Sequence, residues 1–326
     1  MGKTAAASAQ TAPTMAVPDL DPRWMTAAAV LGAFVLVRAV LFVLCSFYRQ
    51  FLRPAKNLRK YGEWAIVTGA TDGIGKAYAK ELARRGLSVL LISRTESKLV
   101  EVQKEISSKY PKVKIETLTI DYSNFDKAAR GRVAAAVKDK EIGVLINNVG
   151  VSYPFPKFYY ELTDAELEAL IELNVVSTAR MTHLLLPAMS ARRRGCIVNL
   201  ASAAAANPTA LLAGYSGAKG FILKMSESLH YEMAPKGVHV QCQVPLLVAT
   251  KLAKVRPAWD KPSPDAYARA AVRAVGYEPV SSPYWSHALQ LWVMSTLPFA
   301  VVNKVVYGMH LGLRKRALKK LEGKTA

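Results

Sequence analysis

Tyr215 and Lys219 stand four residues apart, with Ser202 a short way upstream. On a helix, side chains at i and i+4 share a face, so this spacing sets a phenol beside an ammonium. A free tyrosine, with a pKa of about 10, is a poor acid–base catalyst at neutral pH. A neighbouring cation favours the phenolate and brings that pKa towards the working range. A serine hydroxyl nearby would hold a carbonyl oxygen while the tyrosine protonates it. The pair alone is common on amphipathic helices, so its meaning depends on what surrounds it.

Gly69, Thr71, Asp72, Gly73, Ile74 and Gly75 form a glycine-rich turn after the apolar run Trp64 to Thr68 and before a helical pattern from Lys76 to Arg85. Strand, glycine turn and helix is the context of a dinucleotide site, where backbone N–H groups meet a pyrophosphate. A plain tight turn is the competing reading. The next apolar run, Ser88 to Ile92, ends in Ser93 and Arg94, where an acid would bind the ribose 2′-hydroxyl of NAD. A hydroxyl and a guanidinium suit a 2′-phosphate instead, which selects NADPH.

Three further stretches complete a set: Asn147, Asn148, Val149 and Gly150 after an apolar run; Asn174 within a long helical segment; and a buried run from Cys196 that delivers Ser202. Together with the opening pair they resemble the short-chain dehydrogenase/reductase family over roughly residues 60 to 260. The resemblance implies that Tyr215 is the proton donor, Lys219 tunes it and holds the nicotinamide ribose, and Ser202 orients the substrate carbonyl. It implies that Asn174 anchors a water in a proton relay. The turn glycines would hold the cofactor phosphates, Asp121 the adenine, and Asn147 the central sheet and cofactor ribose, while Val248 and Thr250 fit the cofactor motif after the sixth strand. One departure is Pro245–Leu246 where the family has Pro-Gly, so that loop is expected to run differently.

Val248 to Lys254, Asp260 to Pro264, Gly276 and Tyr284 to Ala288 look like the microsomal very-long-chain 3-oxoacyl-CoA reductase branch, which includes enzymes also described as 17β-hydroxysteroid dehydrogenases. That implies a long-chain 3-oxoacyl-CoA substrate, membrane lipids and other fatty-acid elongation enzymes as partners, and leaves a homo-oligomer open. A steroid or other lipid-ketone reductase and a catalytically inactive membrane scaffold are the rival readings.

From Trp24 to Tyr48 the chain is apolar apart from Thr26, Arg38 and Ser46, long enough for a spanning helix of about 20 residues. A cleaved signal peptide competes, but the leader lacks a compact basic n-region and the stretch lacks a clear cleavage site. Arg49, Arg53, Lys56, Arg59 and Lys60 follow with no acid among them, which places the next domain in the cytosol and the short N-terminus across the membrane. The resemblance to the microsomal branch implies that this is the endoplasmic reticulum membrane. The net charge is +20, and the five bases after the anchor with the six near the end, less Glu322, carry ten of it. Charge so placed meets anionic headgroups, and no nucleic-acid motif accompanies it. The second apolar stretch, Ala288 to Val302, reads as an interfacial or re-entrant helix, with a buried core helix as the alternative.

Six apolar β-like runs alternate with helical patterns, which implies an α/β fold: a Rossmann-like doubly wound parallel sheet with helices on both faces, preceded by an N-terminal transmembrane helix. The expected organisation is a disordered leader over 1–22, an anchor over 23–48, a basic linker over 49–60, the NADP-binding domain over 61–285 and a membrane-associated helix with a basic tail over 286–326. The aromatics of Tyr153 to Tyr160 would either line an acyl channel or pack a loop. Lys251, Lys254, Arg256 and Lys261 would either meet CoA phosphates or stay solvated. Three cysteines and five histidines show no ligand spacing.

Overall fold

Pro22 opens the first helix because its missing N–H is one the first turn could not use, and Asp21 beside it accepts from Arg23 N at 2.8 Å. The computed structural model describes residues 21–253 and 255–325; most of the leader expected over 1–22, and Lys254, lie outside them. The chain divides into two units, one up to Leu52 and one from Arg53 onward. The first is α1 (Pro22–Phe47) running into a π-helical turn, Tyr48–Leu52. It is apolar around its circumference and buries nothing, the pattern of a bilayer span. Among the described residues, Pro22–Leu52 is the one helical stretch long and apolar enough to cross a membrane.

The second unit is built on seven parallel strands: β1 (Trp64–Thr68), β2 (Ser88–Ser93), β3 (Ile115–Thr119), β4 (Ile142–Asn147), β5 (Gly195–Leu200), β6 (Val238–Gln243) and β7 (Val280–Ser281), in the order β3-β2-β1-β4-β5-β6-β7. The helices are α2 (Gly73–Arg84), α3 (Glu96–Lys109), α4 (Lys127–Val137), α5 (Asp164–Leu170), α6 (Ser177–Ala191), α7 (Ala203–Ala206), α8 (Ala213–Met233), α9 (Pro264–Ala274), α10 (Trp285–Thr296) and α11 (Phe299–Thr325). Alternate β1 residues serve opposite faces. Ala65 and Val67 join a core with α2, α3 and α9, whereas Trp64 and Ile66 join one with α4 and α6. Both faces are therefore covered, as a parallel sheet requires. The order reverses between β1 and β4, so the binding crevice lies beyond their C-terminal ends.

Four features differ from the sequence expectation. β6 is not wholly apolar: Gln241 and Gln243 are fully buried, and their amides donate to Ala274 O and Ala271 O at 3.0 Å. They fasten α9 to the sheet, which hydrophobic periodicity does not report. The long helix around Asn174 is broken into α5 and α6 by a π-helical turn, Ile171–Val176. The stretch Ala288 to Val302 is not one element: Pro298 separates α10 from α11, because proline has no N–H to continue α10. α11 then continues through the basic tail, and its buried Val302 and His310 pack it on the domain.

The fourth difference is the basic linker, part of which belongs to the domain. Arg53 pairs with Glu278 through both guanidinium nitrogens and lies 3.9 Å from the Tyr277 ring centroid. Lys56 donates to Gly276 O, and Tyr277 donates to Pro54 O at 2.6 Å. Two of the five bases assigned to lipid headgroups thus hold the segment before β1 against the segment before β7.

Candidate active site

The glycine turn sits at the end of β1. Gly69 and Gly73 have φ of 63° and 53°, a left-handed backbone that glycine adopts without strain. A Cβ on Gly75 would lie 2.3 Å from Gly69 O and 2.4 Å from Asn148 Nδ2, so the turn closes only on hydrogen. Asp72 caps α2, accepting from Gly73 N at 2.8 Å, and its carboxylate pairs with Lys251 at 2.9 Å. Burial pushes the Asp72 pKa up, but these hydrogen bonds outweigh it and hold the group below its ordinary range. Lys251 thus reaches the turn, though its side chain is 85% exposed. Ile74 packs on the core behind the turn.

Thr71 Oγ1 and Ser93 Oγ are 3.0 Å apart, which ties the turn to the end of β2, where Arg94 stands exposed. Arg94 is close enough to Asp121 to help lower its carboxyl pKa: burial raises it, and the Ser123 hydrogen bonds and Arg94 outweigh that. From the other side comes the loop after β6. Thr250 Cγ2 lies 3.2 Å from where a Gly73 Cβ would stand, and Val248 is buried beneath. Leu246 avoids positive φ, and its N–H donates to His287 Nδ1 at 3.3 Å. The fully buried His287 on α10 thus takes over the support of this loop. His287 lies in the Tyr284 to Ala288 stretch that carries part of the resemblance, but its contact with this loop is visible only in the fold.

Asn147 is buried and donates to Thr182 Oγ1 at 3.0 Å and Asn199 Oδ1 at 2.8 Å, contacts that support the central sheet. Asn148 does the work at the turn, donating from Nδ2 to Thr68 O at 3.1 Å and Gly69 O at 3.2 Å. Sequence reasoning passed over Asn148 and Thr68. The alternation of faces along a strand was the signal available.

Beyond β4 and β5 four polar residues gather. Asn174 is fully buried, and the π turn lets Nδ2 reach both Leu170 O and Val151 O at 2.9 Å. Lys219 Nζ donates to Leu200 O at 2.9 Å. Both converge on exposed Gly150, where an added Cβ would lie 2.6 Å from Asn174 Oδ1 and 3.1 Å from Lys219 Nζ. Ser202 caps α7 and stands close enough to Tyr215 for its hydroxyl to favour the phenolate. The electrostatics differ from expectation: burial raises the Tyr215 pKa above 10 and only the neighbouring Ser202 hydroxyl opposes it. Lys219 Nζ lies 6.0 Å from the ring centroid and is itself pushed down to about 8 by burial. The phenol therefore keeps its proton at neutral pH, as a proton donor must.

Lys219 also makes stability depend on pH. Its native pKa of about 8 lies below the ordinary 10.5, so between those values the unfolded chain binds more protons and the native state gains as pH rises. The difference in thermal midpoint between wild type and Lys219→Met is expected to shift towards wild type across that window. A pH-independent difference would show a lysine that stays charged in the fold.

α11 borders the site from outside. Arg314 makes a two-pronged pair with Glu161, both contacts 2.6 Å, and lies 5.2 Å from the Phe158 ring centroid. His310 Nδ1 lies 2.8 Å from Ala210 O. Between α11 (Asn303, Lys304, Tyr307) and the segment Pro208 to Ser216 is an open cavity of about 760 Å³. Of the aromatics after β4, Tyr159 and Tyr160 are exposed, Phe158 stacks on Tyr160 at 5.6 Å, and Tyr153 is buried against α8.

Residues 63–261 match the family described as short chain dehydrogenase. The chain is 42% identical over 304 residues to the very-long-chain 3-oxoacyl-CoA reductase-B of Danio rerio, covering 91% of this chain and 96% of that one. It is 39% identical over 308 residues to the inactive hydroxysteroid dehydrogenase-like protein 1 of Homo sapiens, covering 90% and 93%. Among solved structures, a short-chain dehydrogenase from Sphingobium yanoikuyae in complex with NADPH superposes with a TM-score of 0.60 at 25% identity, covering 72% of this chain and 96% of that one.

Proposed function

This chain belongs to the short-chain dehydrogenase family, and on that basis we propose that it reduces very-long-chain 3-oxoacyl-CoA to 3-hydroxyacyl-CoA with NADPH. The observation that carries the reading is the convergence of Asn174 and Lys219 on Gly150, beside a Tyr215 whose pKa the neighbouring Ser202 hydroxyl lowers against burial. The cofactor fits the residues present: a cradle that a Cβ would fill at Gly75, the N-terminus of α2, and Thr71, Ser93 and Arg94 with no carboxylate at the end of β2. When bound, NADPH supplies a hydride to the carbonyl carbon.

Ser202 and Tyr215 hydrogen-bond the 3-oxo oxygen and stabilise the negative charge that develops there. Tyr215 transfers its phenolic proton to that oxygen. Lys219 holds the nicotinamide ribose and, when charged, favours the phenolate left behind. Asn174 fixes the backbone at Val151 and, with Lys219, lines the route by which Tyr215 is reprotonated. The cavity under α11 supplies room for a long acyl chain next to the helix that carries Tyr215.

The apolar Pro22–Leu52 stretch and the bases that follow it support an endoplasmic reticulum anchor with the catalytic domain in the cytosol, where elongation enzymes and lipid would be its partners. The human relative's name gives an inactive scaffold some standing, but Asn174, Ser202, Tyr215 and Lys219 are all present and assembled.

The test is NADPH oxidation by membranes carrying the protein, with a chain-length series of 3-oxoacyl-CoA beside estrone. Turnover confined to estrone would overturn the substrate, and no turnover with either would favour the scaffold. Arg94→Ala is expected to raise KM for NADPH about tenfold to hundredfold, the loss of one charge-assisted contact, and to leave KM for NADH unchanged. Equal effects on both cofactors would remove Arg94 from the 2′-phosphate.

A further inference from the structure

The first N–H groups of a helix have no partner within it, and a serine, threonine, aspartate or asparagine side chain usually supplies one. α2, α4, α5 and α9 follow the rule through Asp72, Asp126, Thr163 and Ser263. α8 does not, although it carries Tyr215 and Lys219: its N-cap is Leu212, which offers no side-chain acceptor. Tyr153, 61 residues earlier in the loop after β4, fills the place. Its hydroxyl oxygen accepts at 2.8 Å from the N–H of Gly214, the residue just before Tyr215.

We propose that Tyr153 is a positioning residue, whose phenolic oxygen caps α8 from outside the helix and thereby holds Tyr215 against Ser202. Two further features fit. A Cβ on Gly214 would lie 2.8 Å from the Tyr153 oxygen and 3.2 Å from Leu170 Cδ1, so glycine is what lets the hydroxyl approach. Leu211, just before the helix, has φ of 66°, a left-handed backbone that strains a leucine. It is held there, because its side chain is buried and its carbonyl accepts from Lys157 N at 3.0 Å. The loop 153–157 thus grips the start of α8 twice, once through backbone and once through the Tyr153 hydroxyl.

The capping is independent of substrate; its effect on turnover rests on the proposed role of Tyr215. Tyr153→Phe keeps the ring and removes the acceptor, and Gly214→Ala forces the same hydroxyl away. Hydrogen exchange of the full-length protein in detergent is expected to be about fivefold faster across residues 212–219 in both variants, the scale of a lost helix cap. With 3-oxoacyl-CoA, kcat is expected to fall about tenfold with KM for NADPH unchanged, the scale of a partly misplaced proton donor. The alkaline limb of kcat should move to higher pH, because Tyr215 is then held less firmly beside the Ser202 hydroxyl that lowers its pKa. Unchanged exchange across 212–219 overturns the cap. A kcat that falls only with the NADPH-binding fraction, its alkaline limb unmoved, overturns the positioning role. If the wild-type protein does not turn over 3-oxoacyl-CoA, the substrate assignment fails and the exchange data alone decide the cap.

Discussion

Tyr215→Phe is expected to lower kcat by about 10²–10⁴-fold, the range removed with a general acid, while NADPH affinity stays essentially as in wild type. The reason lies in how the structure treats this phenol. Burial holds its pKa above 10, and the Ser202 hydroxyl is the one group that works against that. Phenylalanine fills the same volume, so the core around α8 and the neighbouring Lys219–Leu200 hydrogen bond keep their geometry. What is lost is the proton and one of two hydrogen bonds to the developing oxyanion. Single-turnover reduction in the variant, beside NADPH binding by fluorescence, separates the two effects. Turnover within a few-fold of wild type would mean that Tyr215 is not the donor.

Gly75→Ala is expected to destroy the cofactor cradle. The added Cβ would stand 2.3 Å from Gly69 O, and a backbone carbonyl in a turn held by Asn148 cannot move aside as a side chain can. Overpacking of this kind costs about 1–3 kcal/mol in stability, and relief by shifting the turn moves the N–H groups that face the pyrophosphate. NADPH binding should therefore fall steeply even in protein that remains folded. Gly131→Ala is the control, since a Cβ there meets nothing within 4 Å on the outer face of α4. That change should leave binding untouched and raise stability by up to about 1 kcal/mol. If Gly75→Ala binds NADPH as wild type does, the turn is only a turn.

Much of this site could be read from the chain. The strand Trp64–Thr68, the turn after it and the opening of α2 follow from apolar burial and glycine spacing, and the structure places them there. Residue type and spacing single out Tyr215, Lys219 and Ser202, and the resemblance to the short-chain dehydrogenase/reductase family adds Asn174 and assigns the four their roles. Other parts were out of reach. β7, at two residues, is too short for any periodicity. The π turn at Asn174 leaves a helical pattern that looks continuous. The difference between Asn147 and Asn148 depends on which way each side chain points where β4 ends, since both are equally polar in the sequence.

What the sequence determined by itself, then, is the kinds of element, their order, and the chemical groups available, because periodicity, turn residues and motif spacing act between near neighbours in the chain. What only the tertiary structure decided is the company each group keeps: Tyr153 on Gly214, Glu278 on Arg53, Arg314 on Glu161. Those partners lie 61, 225 and 153 residues apart. The pKa values of Tyr215 and Lys219 belong to the second class. Desolvation is set by everything packed around a group, so a pair expected to form a cation-tuned phenol becomes, once buried, a retained proton beside a lysine whose pKa is pushed down to about 8.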